Sequence, residues 1–126
     1  MSIRSLFCLA LLLAFPAVAP NAQQATEMYI PIGASPGVST ITSIIGKIAA
    51  VDEQNRTITV SDASGTATVA VPDETPVWLD RSKATGTNQR GSAADLKAGL
   101  TVEVKYREAA RGSSLTAEWI KIEMTN

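Results

Sequence analysis

The side chains of this chain that could do chemistry are few in kind. Among 126 residues there is no histidine and one cysteine, Cys8. A Ser-His-Asp or Cys-His relay therefore has no base, and a zinc site of thiolates and imidazoles has no ligands. The one serine–lysine neighbour pair, Ser82 and Lys83, is adjacent in sequence, and adjacent side chains on an extended chain point apart. Two carboxylate pairs, Asp52-Glu53 and Asp73-Glu74, have the type needed for acid–base work on a glycoside. Both fall in turns, where acids bond locally, so a carboxylate-dependent hydrolase is a distant alternative. Asp62, Ser64 and Gly65 could join a cation loop, but the twelve-residue calcium-loop pattern is absent and a hairpin turn accounts for them. Gly33 and Gly37 lack the strand–helix setting of a phosphate loop. The expectation is a non-enzymatic protein with no metal and no cofactor.

Binding is better supported by the residue types. Trp78 leads into a polar stretch carrying Asp80, Arg81, Lys83, Asn88, Gln89 and Arg90. A tryptophan beside amides and charges suits stacking on a sugar with hydrogen bonds around it. It suits equally a ring closing one end of a barrel under a solvated loop. Trp119 lies off the face formed by Ile120 and Ile122 and can serve as surface contact or core. Tyr106 falls in line with Val102 and Val104, so core is expected. The candidate ligand-binding set is thus Trp78, Asp80, Arg81, Lys83, Asn88, Gln89, Arg90 and Trp119, with a carbohydrate or an envelope protein as partner.

These residues follow a leader-like start. Arg4 and the amino terminus precede an apolar run and then small residues, the layout of a secretory signal peptide over residues 1–22, with the cut placed after Ala22. Its removal takes away Arg4 and Cys8 and leaves ten basic and twelve acidic side chains, a formal charge of about −2. No disulfide can then form. The near-neutral balance argues against nucleic acid, where a basic stripe supplies much of the affinity. No later apolar run is long enough to span a membrane. The expected location is periplasmic or extracellular.

Beyond residue 43 the pattern is short strands with turn punctuation. Residues 44–51 are β-rich. Residues 56–61 alternate, with Ile58 and Val60 on one side, and residues 66–71 alternate around the turn at Gly65, which can take a positive φ cheaply. Pro72 and Pro76 precede a short edge-like strand at 77–79. The polar residues 80–98 break the rhythm and end in a helical turn capped by Ser92. Residues 100–107 set Val102, Val104 and Tyr106 against Thr101, Glu103, Lys105 and Arg107. The last strand, 115–124, keeps Ile120, Ile122 and Met124 on one face only if a bulge sits near Glu118 or Trp119. This order predicts an all-β domain over 44–126: a small OB-like antiparallel barrel of five to six strands, with a short helical turn before the fifth, since closure removes exposed edges.

The succession Gly46-Lys47-Ile48, Val51-Asp52, Arg56-Thr57-Ile58-Thr59-Val60, Thr75, Asp95-Leu96-Lys97-Ala98-Gly99-Leu100 and Val102-Glu103-Val104, closing with Ala117 and Ile120, resembles a family of small exported bacterial domains with an OB-like barrel. The resemblance covers about residues 44–124. It implies fold and export and carries no catalytic motif onto these positions. The stretch before residue 44 and the long insertion at 80–91 depart from it.

That stretch, residues 23–43, is an apolar arm. Tyr29, Ile30, Ile32, Val38 and Ile41 would be poorly solvated in a flexible linker, and the prolines exclude a continuous helix. An extended arm is expected, folded back on its own barrel or added as a strand to another subunit or an envelope partner. In the second case the protein would be a structural, oligomerising one.

Overall fold

The computed structural model describes residues 26–35, 43–108 and 115–125; the leader-like residues 1–22 and the arm residues Val38 and Ile41 lie outside them. Seven strands form in chain order: β1 (Ser43–Asp52), β2 (Thr57–Asp62), β3 (Gly65–Ala70), β4 (Val77–Asp80), β5 (Gln89–Arg90), β6 (Thr101–Glu108) and β7 (Leu115–Glu123). A 3-10 turn, Ala93–Asp95, precedes β6. The hairpin β2–β3 turns at Gly65, whose φ of 137° is open to glycine at little cost.

The sheet order β3-β2-β1-β6-β7 closes on itself where β3 meets β7, at Val69 opposite Leu115 and Ala70 opposite Thr116. This is a closed five-stranded, OB-like barrel, and β4 and β5 extend it. Two contacts are parallel, β3–β7 and β4–β7; the rest are antiparallel. With β6 on its other side, β7 lends one edge first to β3 and then, from Ile120 to Glu123, to β4. The change of partner follows an extra residue: Lys105 faces Trp119 while Tyr106 faces Ala117, so Glu118 is bulged out. The bulge restores Ile120 and Ile122 to the core face, as the alternation requires. A second bulge in β1, between Ile48 and Ala50, is not signalled by the sequence pattern.

Inside the barrel lie Ile48, Ile58, Val60, Val69, Val77, Leu79, Val102, Val104, Ala117, Ile120 and Ile122. Leu96, from the 3-10 turn, packs against them. The turn is held as its sequence suggests, with the Ser92 amide donating to Asp95 Oδ2 at 2.8 Å. Burial of each such aliphatic side chain contributes about 1.5–3 kcal/mol, so the closed core needs no disulfide.

One expectation is corrected. Residues 77–80 are not at an edge: β4 runs between β7 and β5 and is buried along its whole length. Pro72 and Pro76 precede the strand and remove no hydrogen bond from it. Pro76 even contributes its carbonyl, which accepts from the Ile120 amide at 3.0 Å.

Candidate functional site

Burial on both faces of β4 and of the second half of β7 sets the site. Inward-facing Val77, Leu79, Ile120 and Ile122 meet the core, so Trp78, Asp80, Trp119 and Lys121 must point outward. Cross-strand register then assembles one row on the outer face: Ile45, Glu103, Lys121, Trp78 and Arg90. A neighbouring row holds Lys105 and Trp119, and a third pairs Asp80 with Glu123. An outer row of this kind normally faces water. Here Lys121 is 0% exposed, Glu103 2%, and Asp80, Trp78 and Trp119 3% each.

Residues 26–35 bond to this face. They do not run as an extended strand. Tyr29 and Ile30 donate backbone bonds to the carbonyls of Thr26 and Glu27, and Ala34 to that of Pro31. A helical turn therefore fits before Pro31, because that proline follows the turn instead of interrupting it. Gly33, at φ 81°, then redirects the chain. The result presents consecutive amides to two buried carboxylates: Ile32 donates to Asp80 Oδ2 at 2.9 Å and Gly33 to Glu103 Oε1 at 3.2 Å. Lys121 Nζ donates to Glu27 Oε1 at 2.9 Å and to Ser35 Oγ at 3.1 Å. Ser35 in turn donates to Glu27. Glu103 stands 3.9 Å from the same ammonium. Lys121 also lies over the Trp119 ring, 4.5 Å from its centre, and Trp119 packs on Trp78 with ring centres 5.5 Å apart.

The insertion completes the frame. Asn88 reaches the arm, its Nδ2 donating to the Met28 carbonyl at 3.0 Å, while its Oδ1 accepts from the Arg81 amide. Asp80 holds both sides, since its other oxygen accepts from the Ser82 amide at 2.9 Å. Burial pushes the Asp80 carboxyl up, but the Ile32 and Ser82 hydrogen bonds outweigh it and hold the pKa below its usual value. Glu27 behaves alike: burial opposes ionisation, and the bonds from Ser35 and Lys121 with the Lys121 charge more than offset it.

Of the candidate ligand-binding residues, Trp78, Trp119 and Asp80 thus come together on the outer face, each 3% exposed, with Asp80 bonded to the arm. Asn88 binds the arm, and Arg81 is half-buried over Gly86. Gln89 and Arg90 are exposed, and Lys83 pairs outside with Glu123 at 3.1 Å. Of the arm residues, Ile30 and Ile32 are half-buried and Tyr29 is exposed. Tyr106 is half-buried and outside the core cluster. Glu27, Ser35, Glu103 and Lys121 were not anticipated. The available signal was that Glu103 and Lys121 share a face with Trp119 next to an arm too apolar for water.

A second concave feature opens at a barrel end. This groove, about 250 Å³, has an apolar floor of Val51, Ile58, Val71 and Leu96 and a rim of Asp52, Glu53, Arg56 and Asp73. Arg56 pairs with Asp73. Asp52 accepts from the amide and side chain of Asn55, which lowers its pKa. Among the described residues no group of three or more acids is placed to hold a metal ion, and no helix is long and apolar enough to cross a membrane.

No family model, no curated protein and no solved structure matches the chain.

Proposed function

We propose that this protein is an exported, non-enzymatic binding module whose contact surface is the outer face of β4, β6 and β7, and that residues 26–35 occupy this surface as a built-in peptide ligand. One observation carries the reading. Both hydrogen-bond acceptors of the fully buried Lys121 belong to residues 26–35, and the same segment supplies an amide to each of the buried carboxylates Asp80 and Glu103. A cover needed only for stability would be better made of apolar contacts, because a buried ion pair often contributes less than hydrophobic packing of the same volume. Charges that read a peptide through two amides, a carbonyl and one acid instead specify which segment sits there. The type of ligand follows: a peptide with a carboxylate for Lys121 and free amides for Asp80 and Glu103. Export rests on the leader-like residues 1–22.

The test uses the full chain, whose only two tryptophans both lie in this face. In Glu27→Lys the arm's acid is replaced by a like charge facing Lys121. Its tryptophans should become accessible to acrylamide, and a synthetic peptide of residues 26–35 added in trans should shield them again. A peptide carrying lysine in place of Glu27 should not. A Glu27→Lys protein that stays shielded, or that ignores the peptide, would make the segment a fixed part of the fold.

A further inference from the structure

We infer that the occupant supplied in trans is residues 26–35 of a second copy of this chain, giving a reciprocal dimer in which each barrel is covered by its partner's arm; this rests on the binding reading above. Three features point this way. The segment whose complementarity to the face is on view is the chain's own, so every further copy carries it. An exchanged pair keeps each contact of the closed form, Lys121 to Glu27 and Ser35, Asp80 to Ile32 and Glu103 to Gly33, which is what makes segment exchange a low-cost route to dimers.

The connection also permits it. Residues 36–42 join Ser35 to Ser43, and seven residues reach at most about 25 Å. In the closed form they link a segment seated over β7 to the start of β1, two strand spacings or about 10 Å away. The same reach serves a second barrel set beside the first. Finally, the large hydrophobic side chains left exposed among the described residues, Tyr29 and Ile45, both flank this seam. Ile45 faces Glu103 across the sheet, within reach of Gly33, and Tyr29 lies on the arm. Ile45 thus stands on the strand next to β6, beside the arm. A second copy set there covers both side chains. The exchange uses a turn-shaped segment read by side chains, and it does not require the arm to add as a strand.

The experiment mixes full-length chains of natural and heavy isotopic composition, unfolds them together in denaturant, and refolds them at about 1 mM, the local concentration a short tether provides. A carbodiimide then joins carboxylates to adjacent amines. The Glu27–Lys121 link reports the seam, and the Lys83–Glu123 link, within one barrel at 3.1 Å, is the control. Up to half of the Glu27–Lys121 links in the dimer fraction should be of mixed isotope, with Lys83–Glu123 links unmixed, and the mixed share should fall at least tenfold on refolding at micromolar concentration. Glu27–Lys121 links that are all unmixed, in monomer or in dimer, overturn the exchange. If the synthetic peptide still shields the tryptophans of Glu27→Lys in that case, the binding reading stands alone; if it does not, both fall.

Discussion

The open groove and the covered face solve opposite problems. The groove has the common form of a ligand site, an apolar floor with a few polar groups at the rim. Two of its three acids are nonetheless satisfied nearby: Asp52 by Asn55, three residues on, and Asp73 by Arg56 from the facing turn. At the covered face Asp80 is bonded by Ser82 beside it but also by Ile32 forty-eight positions away, and Lys121 by Glu27 ninety-four away. The groove's charges are met close by, and those of the covered face in good part from a distant segment. On the reading proposed above, recognition lies where charges are met by one particular segment of chain.

The substitution that separates the two regions most is Lys121→Ala. It leaves Glu103 buried without its cation and Glu27 and Ser35 without their donor. Breaking a buried pair from one side costs about 3–5 kcal/mol. Denaturant unfolding should show a loss of that size together with a red-shifted tryptophan emission; a loss under 1 kcal/mol would mean that the arm does not depend on this ammonium. Glu27→Gln is milder, since an amide can still accept from Lys121. The lost charge assistance is worth about 1.5–3 kcal/mol at most, and the change should be seen in acrylamide quenching more than in the unfolding midpoint.

Acid should act on the same contacts. The folded-state pKa values of Glu27 and Asp80 lie below their ordinary ones. Their contribution is therefore fully present above the ordinary carboxylate range and is lost as pH falls through the lowered values. Tryptophan accessibility should rise on acidification below that range and return on neutralisation. A tryptophan signal that is flat until the whole barrel unfolds would show that the arm and barrel open as one unit. Gly33→Ala probes geometry without charge. An alanine at φ 81° is strained by about 1–2 kcal/mol, and if the turn is needed to aim consecutive amides at Asp80 and Glu103, quenching should rise while the β-sheet circular dichroism stays constant.

The contrast between the regions also explains what the sequence discloses. Period-two alternation is a local property, and it places β1, β2, β3, β6 and β7, the Glu118 bulge and the Ser92-led turn. Strand partners are not local. The parallel β3–β7 and β4–β7 contacts leave no mark on alternation, and β5 is two residues whose pairing depends on β4 being there. The covered face fails to show for a related reason. Glu103 and Lys121 occupy outward positions of a regular alternation, and a charged residue there reads as solvated. A segment some seventy to ninety-four positions distant bonds to them. The apolar arm did predict something to be covered; which residues it covers is tertiary information. The groove rim was visible as acidic turns, and its shape was not.

The smallest effect is expected in the groove, and it sharpens the contrast most cleanly. Arg56 and Asp73 are both largely exposed, with side chains 59% and 72% accessible, and exposed pairs add little to stability. Arg56→Ala should shift unfolding by no more than about 0.5 kcal/mol, the usual range for surface changes, and leave tryptophan quenching where it was. Arg56 carries a positive φ of 53°, a strain that alanine keeps and glycine relieves. Arg56→Gly separates the two, because it removes the same pair while relieving that conformation. The loss in Arg56→Ala then reports the ion pair, and the stability of Arg56→Gly above Arg56→Ala measures the strain of the turn. Should either variant alter tryptophan quenching, the barrel end and the outer face are coupled, and the two regions must be treated as one site.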